Sequence, residues 1–140
     1  MTEVKYVKVT PDGVITDGVV NGDGDELLHA LQKDVGGDVD EFQLAPDLVV
    51  LLKEMVSEPE SDQYNAYATF AAMELARLRQ VMFVFAGAAV FIGRTRLEWQ
   101  SISDADAERV RALVASVPKD VEARVSTRAK ANKLEVTGRE

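Results

Sequence analysis

Nucleophilic hydrolysis needs a base beside the nucleophile, and this chain offers a single histidine, His29. Around it Leu27, Leu28, Leu31 and Val35 recur at helical spacing, and His29 falls roughly opposite the Leu27, Leu31, Val35 stripe. The spacing predicts a solvent-facing histidine on a helix and no Ser-His-Asp arrangement. There is no cysteine, which removes thiolate nucleophiles, thiolate metal ligands and disulfides together and favours a reducing compartment. Asn21, Asp23 and Asp25 match the first three ligand positions of a calcium loop. Glu26 then stands where that loop needs glycine, and Gln32 where a bidentate glutamate must close the shell. One histidine and no cysteine serve a tetrahedral zinc site still worse.

Neither a GxGxxG fingerprint nor a GxxxxGK[ST] phosphate loop occurs; Gly22, Gly24, Gly36, Gly37 and Gly87 fall at predicted turns and caps. Paired carboxylates can run glycoside chemistry, but Asp38, Asp40 and Glu41 sit on a short segment without a nearby aromatic platform and read as a polar strand edge. The residues therefore predict no catalytic group, no metal and no cofactor. They point to a protein that binds.

Charge suggests where. Residues 1 to 65 hold fifteen Asp and Glu against four Lys and Arg, a net of −11, while residues 66 to 140 hold nine against twelve, a net of +3. Such an acidic half disfavours direct nucleic-acid binding, which rests on cationic contacts to phosphate. It reads either as a solubilising surface or as one that steers a basic partner, expected to be a host protein. The candidate partner-binding residues are Asp38, Asp40 and Glu41 beside Gly36-Gly37, and Glu54, Glu58, Glu60 and Asp62 around the loop SEPESD. A different class of reading is a small-ligand pocket, for which Tyr64, Asn65, Tyr67 and Thr69 form the nearest polar cluster. A late basic group, Arg124, Arg128, Lys130 and Lys133 with Arg94 and Arg96 earlier, lacks the exposed aromatics of nucleic-acid modules, because no aromatic follows Trp99.

The elements that must position these groups follow from periodicity. Val4 to Thr10 alternates and meets Pro11-Asp12-Gly13, after which Val14 and Ile15 resume an apolar run, so a hairpin opens the chain. Asp25 is placed to cap the helix carrying His29, and Gly36-Gly37 to end it in the left-handed conformation. Val39 to Leu44 and Leu48 to Leu52 read as strands around Ala45-Pro46-Asp47, the second suited to a sheet interior. Asp62 is placed to cap a helix on which Tyr64, Ala68, Ala71, Leu75 and Leu78 recur. Val81 to Phe85 and Ala88 to Ile92 form two short strands or one kinked at Gly87. Leu97, Trp99 and Ser101 alternate as a half-buried strand with Trp99 inward. Ser103 and Asp106 open a helix with the stripe Ala107, Val110, Leu113 or Val114, and Val117, stopping before Pro118. Val121 to Ala129 suits strand or helix equally, and the end of the chain near KLEVTGRE is expected to fray.

Leu28, Leu31 and Gln32 leading into Val35-Gly36-Gly37, the strand pair after it, Asn65 with Ala68 opening the next helix, and Gly87 inside an apolar strand carry a family likeness. Over roughly residues 4 to 93 the chain resembles the phage and bacterial family called domain of unknown function 3846. It departs from that pattern in SEPESD and in everything after Arg94. The resemblance implies a setting, small genes of phages and mobile elements often from high-GC actinobacteria, and supplies no catalytic residue. The Ala, Val, Asp and Arg usage agrees with it.

Length bounds the rest. At 140 residues with 46% hydrophobic composition, residues 1–140 are expected to form a single α+β domain, a mixed or antiparallel sheet with about three packed helices. The longest apolar stretch, Val81 to Ile92, is too short to span a bilayer and no apolar h-region follows MTEVKYVK, so no membrane insertion is expected, and the absence of cysteine makes the cytoplasm the expected address.

Overall fold

The computed structural model describes residues 3–22, 24–54, 63–78, 84–125, 127, 128 and 130. The first hairpin joins β1 (Glu3–Val9) to β2 (Ile15–Asn21) through the turn at Pro11-Asp12-Gly13. Helix α1 (Gly24–Val35) follows, then a second hairpin of β3 (Val39–Ala45) and β4 (Leu48–Lys53). Helix α2 (Ala66–Leu75), strand β5 (Ala89–Arg94), the two-residue β6 (Trp99–Gln100) and helix α3 (Asp104–Ala115) complete the order. Residues 121–125 are helical as well.

All pairings in the six-stranded sheet are antiparallel, in the order β2-β1-β5-β4-β3 with β6 beside the end of β5. The fold is α+β. Alternation sends Val4, Tyr6, Val49, Leu51, Val90 and Ile92 to one face, where α1 covers them with Leu27, Leu31 and Val35. Val7, Val9, Leu48, Val50, Leu52 and Phe91 face the other way, under α2 and α3. Both faces are thus covered, which is why β4 and β5 read as unbroken apolar runs. Helix α2 is apolar nearly all round because it is sandwiched: one side meets the sheet core, and Ala66 and Phe70 meet Val121 and Val125.

Several expectations change. Asp25 lies inside the first turn of α1, where its charge complements the helix dipole without capping it. The glycine stop is as expected: Gly36 has φ 91° and the Gly36 and Gly37 amides both donate to the Gln32 carbonyl. Helix α2 starts later than expected, with Asn65 and not Asp62 as its cap: Asn65 Oδ1 accepts the Ala68 amide at 2.9 Å. Ser103 caps α3 by accepting the Asp106 amide at 3.1 Å, as its spacing predicts. One strand, Ala89–Arg94, follows Gly87, and Ala86 before it forms a lone bridge to Tyr64; residues 81–83 lie outside the described residues. Trp99 is half-buried, and Leu97, expected on its inward face, is 89% exposed at a turn. Of the undecided stretch after Pro118, residues 121–125 are helical, burying Val121 and Val125 four residues apart. Among the described residues no helix is long and apolar enough to cross a membrane.

Candidate functional site

Strand β3 is a sheet edge, and the described acidic candidates gather along it and at the neighbouring end of β4. The Glu54 amide donates to the Asp38 carbonyl at 2.7 Å, and Asp38, Asp40, Glu41 and Glu54 are all exposed. Pleating then divides them. Asp40 pairs with Leu52 and shares the α2 face, whereas Glu41 pairs with Leu51 and shares the α1 face. Adjacent acids in sequence therefore serve opposite sides of the sheet. Glu58, Glu60 and Asp62 lie outside the described residues.

Of the polar cluster considered for a ligand, the side chains of Asn65 and Thr69 are engaged in the fold. Asn65 and Thr69 have no exposed surface. Asn65 Nδ2 donates to the Val9 and Gly87 carbonyls, each at 2.9 Å, while Oδ1 caps α2. Thr69 Oγ1 donates to the Asn65 carbonyl at 2.7 Å and accepts the Phe85 amide at 3.0 Å. Tyr64 bridges to Ala86, and the Tyr67 ring lies over Gly13. These four residues join α2, the first turn and the entry to β5, and the polar groups of Asn65 and Thr69 answer one another and the backbone.

A groove on the other face was not expected. It has a volume of about 730 Å3 and lies between the start of α1, the start of β1 and the turn joining β5 to β6. Thr95 builds that turn: its amide and hydroxyl both donate to the Glu98 carbonyl, and its oxygen accepts the Glu98 amide at 3.0 Å. Gly93 lets the returning chain close in, because a β-carbon there would stand 2.5 Å from the Ser101 carbonyl oxygen. The returning segment is sewn to β1 by the Ile102 amide on the Lys5 carbonyl and the Lys5 amide on Ser101 Oγ, both at 2.9 Å.

The floor is apolar, with Val4 and Leu27 buried and Trp99 half-buried, and Leu97 stands at the lip. Glu3, which pairs with Lys5 at 3.7 Å, and Asp25 and Glu98 supply exposed carboxylates along it, and among the described residues that line it Arg94 is the one cation. That cation is already engaged. Its Nε lies 3.5 Å from Glu41 Oε1, and its guanidinium carbon lies 5.8 Å from the centre of the Trp99 ring. Trp99 Nε1 donates to the same Glu41 oxygen at 2.6 Å. Glu41 thus fixes both the cation and the indole, and the groove keeps an acidic rim. Such a surface can seat an apolar side chain and attract positive charge beside it.

Two further placements bear on chemistry. His29 is exposed, as its position opposite the stripe predicts. Among the described residues no group of three or more His, Asp or Glu side chains could hold a metal ion. Arg124 pairs with Asp120 at 2.9 Å, so Arg94 and Arg124, grouped by charge in the sequence, are each committed to a separate acid. The signals that could have revealed the groove were Gly93 and Thr95, small and turn-forming residues interrupting what otherwise reads as one strand after another.

No family model matches the chain, and comparison with curated proteins and with solved structures likewise finds no match.

Proposed function

We propose that this chain is a non-catalytic accessory protein of phage or mobile-element type that binds and modulates a host protein through its acidic surface. The observation that carries the binding reading is the groove beside Trp99, whose apolar floor lies within a rim carrying Asp25 and Glu98 while Arg94 is paired with Glu41. An apolar anchor with basic neighbours matches that chemistry: burial of the anchor supplies affinity, and the rim charges steer the approach. The resemblance to domain of unknown function 3846 supports the mobile-element setting, and the −11 balance of the first 65 residues supports a basic partner.

The test is a titration of 15N-labelled protein with two short peptides that share a central leucine, one flanked by Lys and Arg, the other by Glu. Amide shifts at residues 24–28 and 94–101 with the basic peptide alone, weakening as salt rises, are expected. Equal response to both peptides, or no response at those residues, overturns the reading.

A further inference from the structure

Among the described residues the sheet ends at β2 and at β3, and the two edges are treated differently. On β3 the acidic pair Asp40 and Glu41 and a register shift between Gln43 and Ala45 discourage another strand from adding. On β2, Ile-Thr-Asp-Gly-Val-Val-Asn, there is no proline, no lysine or arginine and no register shift, and its one charge, Asp17, is paired with Arg111 of α3. Val19 is 52% exposed there. We infer that β2 is a docking edge, and that its occupant is β2 of a second copy of this chain, joined antiparallel about a twofold axis at Gly18.

The register follows from the hydrogen bonding. The Thr10 amide donates to the Val14 carbonyl at 3.0 Å, so in antiparallel alternation the even-numbered residues of β2 bond to β1. Ile15, Asp17, Val19 and Asn21 turn their peptide groups outward. Full overlap of the seven-residue strand with its copy places Ile15 opposite Asn21, Thr16 opposite Val20, Asp17 opposite Val19 and Gly18 opposite Gly18. Every outward peptide group then meets an outward peptide group. No charge meets its like, because Asp17 faces Val19 of the second copy.

Side chains at the axis permit the approach. A β-carbon on Gly18 would stand 2.2 Å from the Tyr6 ring, so that ring already covers Gly18 on the α1 face. Two Tyr6 rings would flank the bare Gly18 pair, and on the opposite face each Val19 would lie against Asp17 of the other copy. The outcome is one continuous sheet with β3 at both outer ends, its guarded edges outward.

The test is solution mass by analytical ultracentrifugation across a dilution series of the native chain and three variants. The native chain should sediment at twice its 15.3 kDa mass at the upper concentrations. Val19→Glu sets a carboxylate against Asp17 twice per dimer and should weaken association by roughly tenfold, whereas Val19→Lys, which meets Asp17 with opposite charge, should preserve it. Both substitutions fall on an exposed side chain, and circular dichroism should show the fold intact. Gln43→Lys on the other edge should leave the mass unchanged. A native chain that stays monomeric, or a dimer indifferent to Val19→Glu, overturns the edge assignment. Equal loss with Val19→Glu and Val19→Lys overturns the register.

Discussion

Asn65 reaches across 56 positions of sequence to Val9: its Nδ2 donates to the Val9 carbonyl at 2.9 Å, at the point where β1 ends and the first turn begins. The same nitrogen donates to the Gly87 carbonyl, and the side-chain oxygen caps α2. One amide therefore binds three segments directly. Replacing it takes this partner from the buried Val9 carbonyl, the half-buried Gly87 carbonyl and the buried Ala68 amide at once. Asn65→Ala should destabilise the chain by about 2–4 kcal/mol in urea denaturation, and Asn65→Asp, which keeps the cap but cannot donate, should recover little of it. A loss below about 0.5 kcal/mol, the scale of a surface change, would remove Asn65 from this role.

The core makes a second prediction by contrast. Leu31 and Leu75 are 0% and 6% exposed, while Leu97 is 89% exposed at the groove lip. Leu31→Ala and Leu75→Ala should each cost about 2–5 kcal/mol in the same denaturation experiment. Leu97→Ala should change stability by no more than about 0.5 kcal/mol. Its effect should appear in peptide binding instead.

Tyr6 supplies a pH dependence. Burial raises its pKa well above the ordinary tyrosine range, and the hydrogen bond and negative charge of Asp34 add to the rise. The folded state thus holds the Tyr6 proton more tightly than the unfolded chain does. Stability from this group is complete below the ordinary tyrosine pKa of about 10 and is lost as pH climbs from there toward the raised folded value. Stability measured at alkaline pH should fall with a slope that Tyr6→Phe removes. An unchanged slope in that variant would contradict the assignment.

Trp99 is the only tryptophan, so its emission reports on one place. Glu41 holds both its indole N–H and the stacked Arg94. Glu41→Ala should red-shift the emission and increase acrylamide quenching, while the exposed pair costs at most about 1 kcal/mol of stability. Emission identical to the native chain would mean that packing alone places the ring.

Chelation is the fifth test. The described residues provide no group of acids and histidine suited to a metal ion, so EDTA should leave the melting midpoint unchanged. A fall in the midpoint would require a metal to stabilise the folded chain.

Much of this fold was legible because its signals are local. Period-two alternation marked β1, a continuous apolar run marked β4, and helical spacing marked α1 and α3, each with its stop or cap within a few residues. The failures are non-local. Nothing near Trp99 reveals that Glu41, 58 residues earlier, will take its N–H, nor that Thr95 will fold the segment into a turn where alternation suggests a strand. Asp62 and Asn65 are both good caps by type, and the contacts to Val9 and Gly87 favour Asn65. Sequence adjacency likewise hides the pleat that sends Asp40 and Glu41 to opposite faces.

The sheet order has a consequence for how the chain emerges during synthesis. Both hairpins, β1 with β2 and β3 with β4, lie wholly within the first 53 residues, yet they never pair with each other. Strand β5, beginning at Ala89, is the wedge that joins them, with β1 on one side and β4 on the other. Until it leaves the ribosome, two half-sheets wait with inner edges unpaired and apolar faces open to chaperones or to one another. A chain cut short before Ala89 would be left in that state permanently.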